Sequence, residues 1–244
     1  MRRFLPGLLI ALAVSAFAAD KIEKHQFDSN SGRRTYYLYV PPMVNASAPV
    51  PLLLVLHGSG HNGLSLVEPW KDLAKRENFI VAGPDSTDPQ QWSAPGDGPG
   101  PLYDLVEALK SKYPINPRRV YMFGHSAGAS FGLQMALLES NYFAAAAVHA
   151  GYVPGKADVL IAGAERKIPL QIQVGSQDQV IPVEASRQTR DDLVAAGFAP
   201  QFLEIPGHDH NYYVVSKSVN RTAWDFLKNI ELRADPVYRI VLFR

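Results

Sequence analysis

No cysteine occurs in the 244 residues. That absence removes every disulfide, every thiolate metal ligand and any cysteine nucleophile. Neither sign of charge dominates: 24 Lys and Arg stand against 23 Asp and Glu, a formal net charge of +1. Such a balance gives no grip on nucleic acid or on an acidic membrane. The G-x-x-x-x-G-K-S/T run of a phosphate cradle is missing, and with it that class of nucleotide site. There is also no internal repeat, low-complexity tract or composition break that would mark a linker.

The chain opens on a segment to be set apart from the fold. Arg2 and Arg3 form a basic start, Leu5 to Phe17 is mostly apolar, and Ala16-Phe17-Ala18 has the small-residue spacing of a cleavage site. Residues 1–18 read as a signal peptide, and the apolar run is short for a membrane span. The expectation is a secreted or periplasmic protein without stable membrane insertion after processing. Loss of Arg2 and Arg3 takes the net charge from +1 to −1. Residues 19–244 are enough for a single domain with a sizeable core.

Short apolar runs alternate with helical patterns along that domain. Thr35 to Val40 is β-branched and aromatic, and Pro41-Pro42 ends it. Leu52 to Leu56 is continuously apolar and short, as a buried central strand is. Phe79–Ala82, Val120–Phe123, Ala144–Val148, Pro169–Val174 and Gln201–Ile205 are further strands. Between them, Pro69 reads as the first turn of a helix, and Leu102, Leu105, Val106 and Leu109 mark one helical face. Val219, Ala223, Phe226 and Leu227 mark the last. Alternation of this kind argues for a mostly parallel sheet covered on both faces. Residues 237–243 read as a candidate extra edge strand.

Gly124-His125-Ser126-Ala127-Gly128 lies where the Val120–Phe123 strand runs into a small-residue helix. G-x-S-x-G is a modest signal alone. A strand–turn–helix context turns it into a device that presents a serine hydroxyl. Ser126 is therefore the candidate nucleophile, and it needs a base. His210, in the loop Pro206–Tyr213 between the last strand and last helix, is the preferred base, with His208 as the alternative. Asp178, after the strand ending at Val174, is the carboxylate suited to hold the histidine tautomer. Ala127 N–H is the first candidate oxyanion donor and Ser59 N–H the preferred second, with Gly58 or Gly60 of the same turn His57-Gly58-Ser59-Gly60 as alternatives. His57 is assigned to fixing that turn.

The order Ser126, Asp178, His210, together with Tyr36–Val40, Pro51–Gly60, Ile115–Tyr121 and Phe143–Ala147, resembles the α/β-hydrolase superfamily. The nearer likeness is to secreted polyhydroxybutyrate depolymerase-like and feruloyl esterase-like serine esterases. Asp209–Tyr213 resembles the histidine loop of the esterase D group, whose catalytic histidine falls on His210. Depolymerase-like members carry cysteine where Ser59 stands here. The resemblance implies a three-layer α/β-hydrolase sandwich and hydrolysis of carboxylic esters without metal or organic cofactor. The interval 127–177 leaves no room for a large lid, which favours small acyl or aryl-acyl groups. Trp92, Tyr152, Val180, Ile181 and Tyr212 fall in loops near the expected mouth and are candidate pocket residues for a small-molecule or oligomeric ester. Thioester or peptide cleavage, and a non-catalytic binding protein on the same scaffold, are the rival readings.

Overall fold

The computed structural model describes residues 20–239. The signal-peptide reading of 1–18 lies outside them. An eight-stranded sheet runs through the domain in the order β1-β2-β4-β3-β5-β6-β7-β8. Its strands are β1 (Glu23–Ser29), β2 (Gly32–Tyr39), β3 (Val50–Leu56), β4 (Ile80–Pro84), β5 (Ile115–His125), β6 (Ala145–His149), β7 (Leu170–Gly175) and β8 (Gln201–Ile205). Antiparallel pairing is confined to β1–β2 and β2–β4, and every pair from β4 onward is parallel.

The helices are α1 (Gly63–Glu77), α2 (Gly100–Lys110), α3 (Ala127–Leu138), α4 (Ala157–Ala162), α5 (Val183–Ala195) and α6 (Tyr212–Leu227). Strand β3 shows why two helical layers are needed. Successive side chains of a strand point to opposite faces. Leu52, Leu54 and Leu56 join the buried cluster that also holds residues of α2, α3, α4 and α5, while Leu53 and Val55 join the one that holds residues of α1 and α6. All five are fully buried, so neither face of the central sheet meets water. The result is a three-layer α/β sandwich with a largely parallel sheet and no large lid insertion. No helix among the described residues is long and apolar enough to cross a membrane.

Some elements depart from the sequence reading. Pro69 is not in the first turn of α1. The helix starts earlier because Asn62 caps it, its side chain accepting from Ser65 N–H at 3.2 Å. β1 is a polar edge strand that no apolar pattern announces; only Phe27 in it is buried. Of the segment read as an extra strand, 237–239 runs as coil, its Val237 N–H donating to Asn141 O. The remainder lies outside the described residues.

Candidate active site

β5 lies in the middle of the sheet and ends at His125, and α3 starts at Ala127. Ser126 is the entire turn between them, at φ 57° and ψ −120°. A non-glycine residue seldom adopts such a backbone, and it does so here because both flanks are locked. A Cβ on Gly124 would lie 2.3 Å from Gly128 O, and one on Gly128 would lie 2.1 Å from Leu56 O. The two glycines thus let the helix start press against the ends of β5 and β3. The serine side chain is left standing clear of the turn.

Asp178 and His210 arrive from the next loops along the same sheet end. After β7, Asp178 turns its carboxylate inward, and the side chain is fully buried. Its Oδ1 accepts from Val180 N–H at 2.9 Å and Ile181 N–H at 2.8 Å. That leaves Oδ2 for His210 Nδ1 at 2.8 Å. Gln177 N–H donates to His208 O at 2.9 Å and ties this loop to the histidine loop. On its other edge, His210 Nε2 lies 2.9 Å from Ser126 Oγ. A carboxylate can only accept, so Nδ1 carries the proton and Nε2 is bare toward the serine hydroxyl. His208 does not reach the serine. It is buried, with its ring 5.3 Å from that of His149.

The turn after β3 runs beside the serine. A Cβ on Gly58 would lie 3.3 Å from Ser126 Cβ. His57 holds this turn as the sequence reading expects. Its Nε2 accepts from Ser86 N–H at 3.1 Å, so Nδ1 donates to Gly58 O at 2.9 Å. Burial lowers the His57 pKa, consistent with a neutral ring. Trp92 Nε1–H donates to His57 O at 2.8 Å, and the indole stacks on Phe131. The loop bearing Trp92 is in turn pinned by the buried Arg34–Asp97 pair at 2.7 Å, with Asp97 also accepting from Thr87 and Ser93 N–H groups. Ala127 opens α3, so its N–H has no preceding helical turn to bond. Among the described residues neither Ala127 N–H nor Ser59 N–H has an acceptor.

A cleft of about 640 Å³ opens beside His210. His61, His125, Gln177, Gln179, Val180, Asp209, Asn211 and Tyr213 complete its wall. Val180, one of the candidate pocket residues, stands in this wall. Ile181 and Tyr152 are half-buried and do not line this cleft; Ile181 serves Asp178 through its N–H. Tyr212 corrects the reading. It is fully buried under the sheet, its hydroxyl donating to Asn220 Oδ1 at 2.8 Å, and Tyr213 takes the cleft wall instead. Adjacent helical residues point about 100° apart, so the start of α6 decides which tyrosine faces out. His125 and His61 carry no motif signal of their own as cleft residues. The polar residue inside G-x-S-x-G is the nearest thing to one.

Among the described residues no three His, Asp or Glu side chains are grouped to hold a metal ion.

A family described as "Esterase PHB depolymerase" matches residues 34–192. Poly(3-hydroxyalkanoate) depolymerase C of Paucimonas lemoignei is 30% identical over 159 residues, covering 60% of this chain. The match spans only 37% of that depolymerase's own length. Among solved structures, a thermostable esterase superposes with a TM-score of 0.70 at 24% identity, over 87% of this chain and 64% of the other. A ferulic acid esterase of Anaeromyces mucronatus superposes with a TM-score of 0.69 at 19% identity, over 86% of this chain and 90% of the other. At these identities the superpositions establish a shared fold.

Proposed function

The chain belongs to the PHB depolymerase esterase family, and from that premise we propose that it is a secreted serine esterase acting on carboxylic esters with small acyl or aryl-acyl groups. The observation that carries this reading is the hydrogen-bonded run from buried Asp178 through His210 to Ser126 on its strained turn. Ser126 Oγ attacks the ester carbonyl while His210 Nε2 takes its proton. Buried Asp178 holds the Nδ1–H tautomer and stabilises the imidazolium that forms. Ala127 and Ser59 N–H groups receive the charge that grows on the carbonyl oxygen. Each such donor is worth roughly 10²–10³ in rate. The imidazolium then protonates the leaving alcohol. A water activated by the same ring releases the acyl group from Ser126.

The compact acyl preference draws support from the stretch between Ser126 and Asp178, which is filled by α3, β6, α4 and β7 and spares nothing for a lid. Export is proposed from Arg2-Arg3, the apolar run and Ala16-Phe17-Ala18. The depolymerase relative is named for a hydroxyalkanoate polymer and the structural neighbour for ferulic acid, so both acyl classes belong in the test.

The test is a panel of acetyl, butyryl, feruloyl, hydroxybutyryl-oligomer and long-chain esters, with the thioester and amide of one acyl group alongside. Highest kcat/KM on a short or aromatic ester is the expected result. A steady climb toward the longest chain would require a lipase-like groove, and faster turnover of the amide would make the protein a peptidase.

A further inference from the structure

His125, the variable residue of the serine turn, is not needed to orient Ser126 or to hold its base. Its ring is nonetheless built into the wall of the cleft beside His210. The ring centroids of His125 and His210 are 5.0 Å apart. Behind it, His125 Nδ1 lies 3.1 Å from His149 Nδ1, and His149 is fully buried. Two like nitrogens share a hydrogen bond only if one carries the proton and the other does not.

The surroundings decide which one does. His149 Nε2 is sealed from solvent without a partner. Suppose His125 Nδ1 were the donor. His149 would then be protonated at Nε2, leaving a buried N–H with no acceptor, an arrangement rare in folded proteins. With His149 Nδ1–H as the donor, its Nε2 is only an unused lone pair, the milder defect. His125 Nδ1 then accepts, and a neutral His125 must carry its proton on Nε2. That nitrogen has no protein partner among the described residues. The His125 side chain is largely buried, and what remains exposed of it faces the cleft.

The cleft's side of the reaction follows from the chemistry proposed above. Ser126 bonds the acyl carbon, and His210 Nε2 must reach the oxygen of the departing alcohol. The alcohol half therefore extends past His210, where His125 and Tyr213 form the wall. We propose that His125 Nε2–H is a substrate-binding donor for an oxygen on the alcohol half of the ester, and that His149 sets the tautomer that makes it one. Charged donors do not line this cleft, and Asp209 does, so a neutral ether, ester or hydroxyl oxygen suits it better than a carboxylate.

This inference rests on the esterase reading, and its test separates the two. The 2-methoxyethyl and 3-methoxypropyl esters of one acid are compared with the n-butyl and n-pentyl esters, which place CH₂ where the ether oxygen stands. The readout is the ratio of kcat/KM within each pair, which does not depend on the fraction of enzyme that is folded. A neutral hydrogen bond predicts a preference of about three- to tenfold for at least one ether ester. The preference should vanish in His125→Phe and persist in part in His125→Gln, whose amide nitrogen also donates. Equal rates within both pairs for the wild-type protein would overturn the proposal while leaving the esterase reading intact. Turnover of none of the four would count against the esterase reading itself. Independently of turnover, ¹⁵N NMR of the imidazoles in the wild-type protein should show His125 protonated at Nε2. Protonation at Nδ1 would overturn the assignment whatever the rates.

Discussion

Replacing His210 with alanine is expected to lower kcat on a good ester by roughly 10⁴–10⁶-fold, the loss typical when the base of a hydrogen-bonded triad is removed. Ser126 would keep its turn, since the backbone there is held by glycine packing and by Ser126 N–H donating to His149 O at 3.1 Å. It would have no group to take its proton. His208→Ala removes a buried ring that hydrogen-bonds neither Ser126 nor Asp178, both of which are engaged by His210, and its kcat should fall by less than about tenfold. The two substitutions lie two residues apart in one loop, so a general disturbance of that loop would affect both. Measuring kcat for both variants, with circular dichroism to confirm the fold, separates the cases. A severe loss confined to His208→Ala would mean that the loop rearranges to present the other ring.

Acid should destabilise this protein well before its carboxylates titrate. Burial lowers the pKa of His125 to about 3 and that of His149 to about 2, and lowers that of His57. Neighbouring rings add to it, His210 and His61 at His125, and His125, His208 and His210 at His149; at His125 the His149 backbone and the Asp178 carboxylate oppose the shift without cancelling it. In the unfolded chain each ring takes a proton near pH 6.5. Below that value the unfolded state binds more protons than the native state, so stability falls as pH falls. The loss accumulates from about pH 6.5 down toward the folded values and is absent above pH 7. Between pH 7 and pH 5 it amounts to about 2 kcal/mol for each histidine that stays neutral when folded. Urea unfolding at the two pH values should show a marked drop in midpoint at pH 5. A midpoint that does not move would mean that these rings accept protons in the native state.

Much of the architecture was legible because its signals are local. Leu52–Leu56 and Gln201–Ile205 are runs whose length and composition already demand strands. The serine turn announces itself because close packing requires Gly124 and Gly128 at fixed distances from Ser126. The placement of Asp178 and His210 followed from a topological fact: parallel strands deliver their C-terminal loops to one end of the sheet.

What stayed hidden depends on phase and on partners distant in the chain. Tyr212 and Tyr213 have the same chemistry, and only the capping of α6 by Asn211 decides which one is buried. β1 is polar because its partner β2 and one face supply all it needs at an edge; the fully registered pairing from Glu23 to Ser29 leaves no apolar trace. His125 gives no sign in the sequence that it will meet His149, because that contact is made by adjacent strands whose register pairs the two residues.

The central claim is that Ser126 is the nucleophile, and covalent trapping tests it most directly. A fluorophosphonate probe, followed by peptide mass spectrometry, should place one label on Ser126 of the wild-type protein and abolish ester hydrolysis in step with labelling. Ser126→Ala, folded as judged by circular dichroism, should take no label and hydrolyse no ester above background. Ester hydrolysis at an unchanged rate in that variant, or a label carried by another residue, would contradict the account.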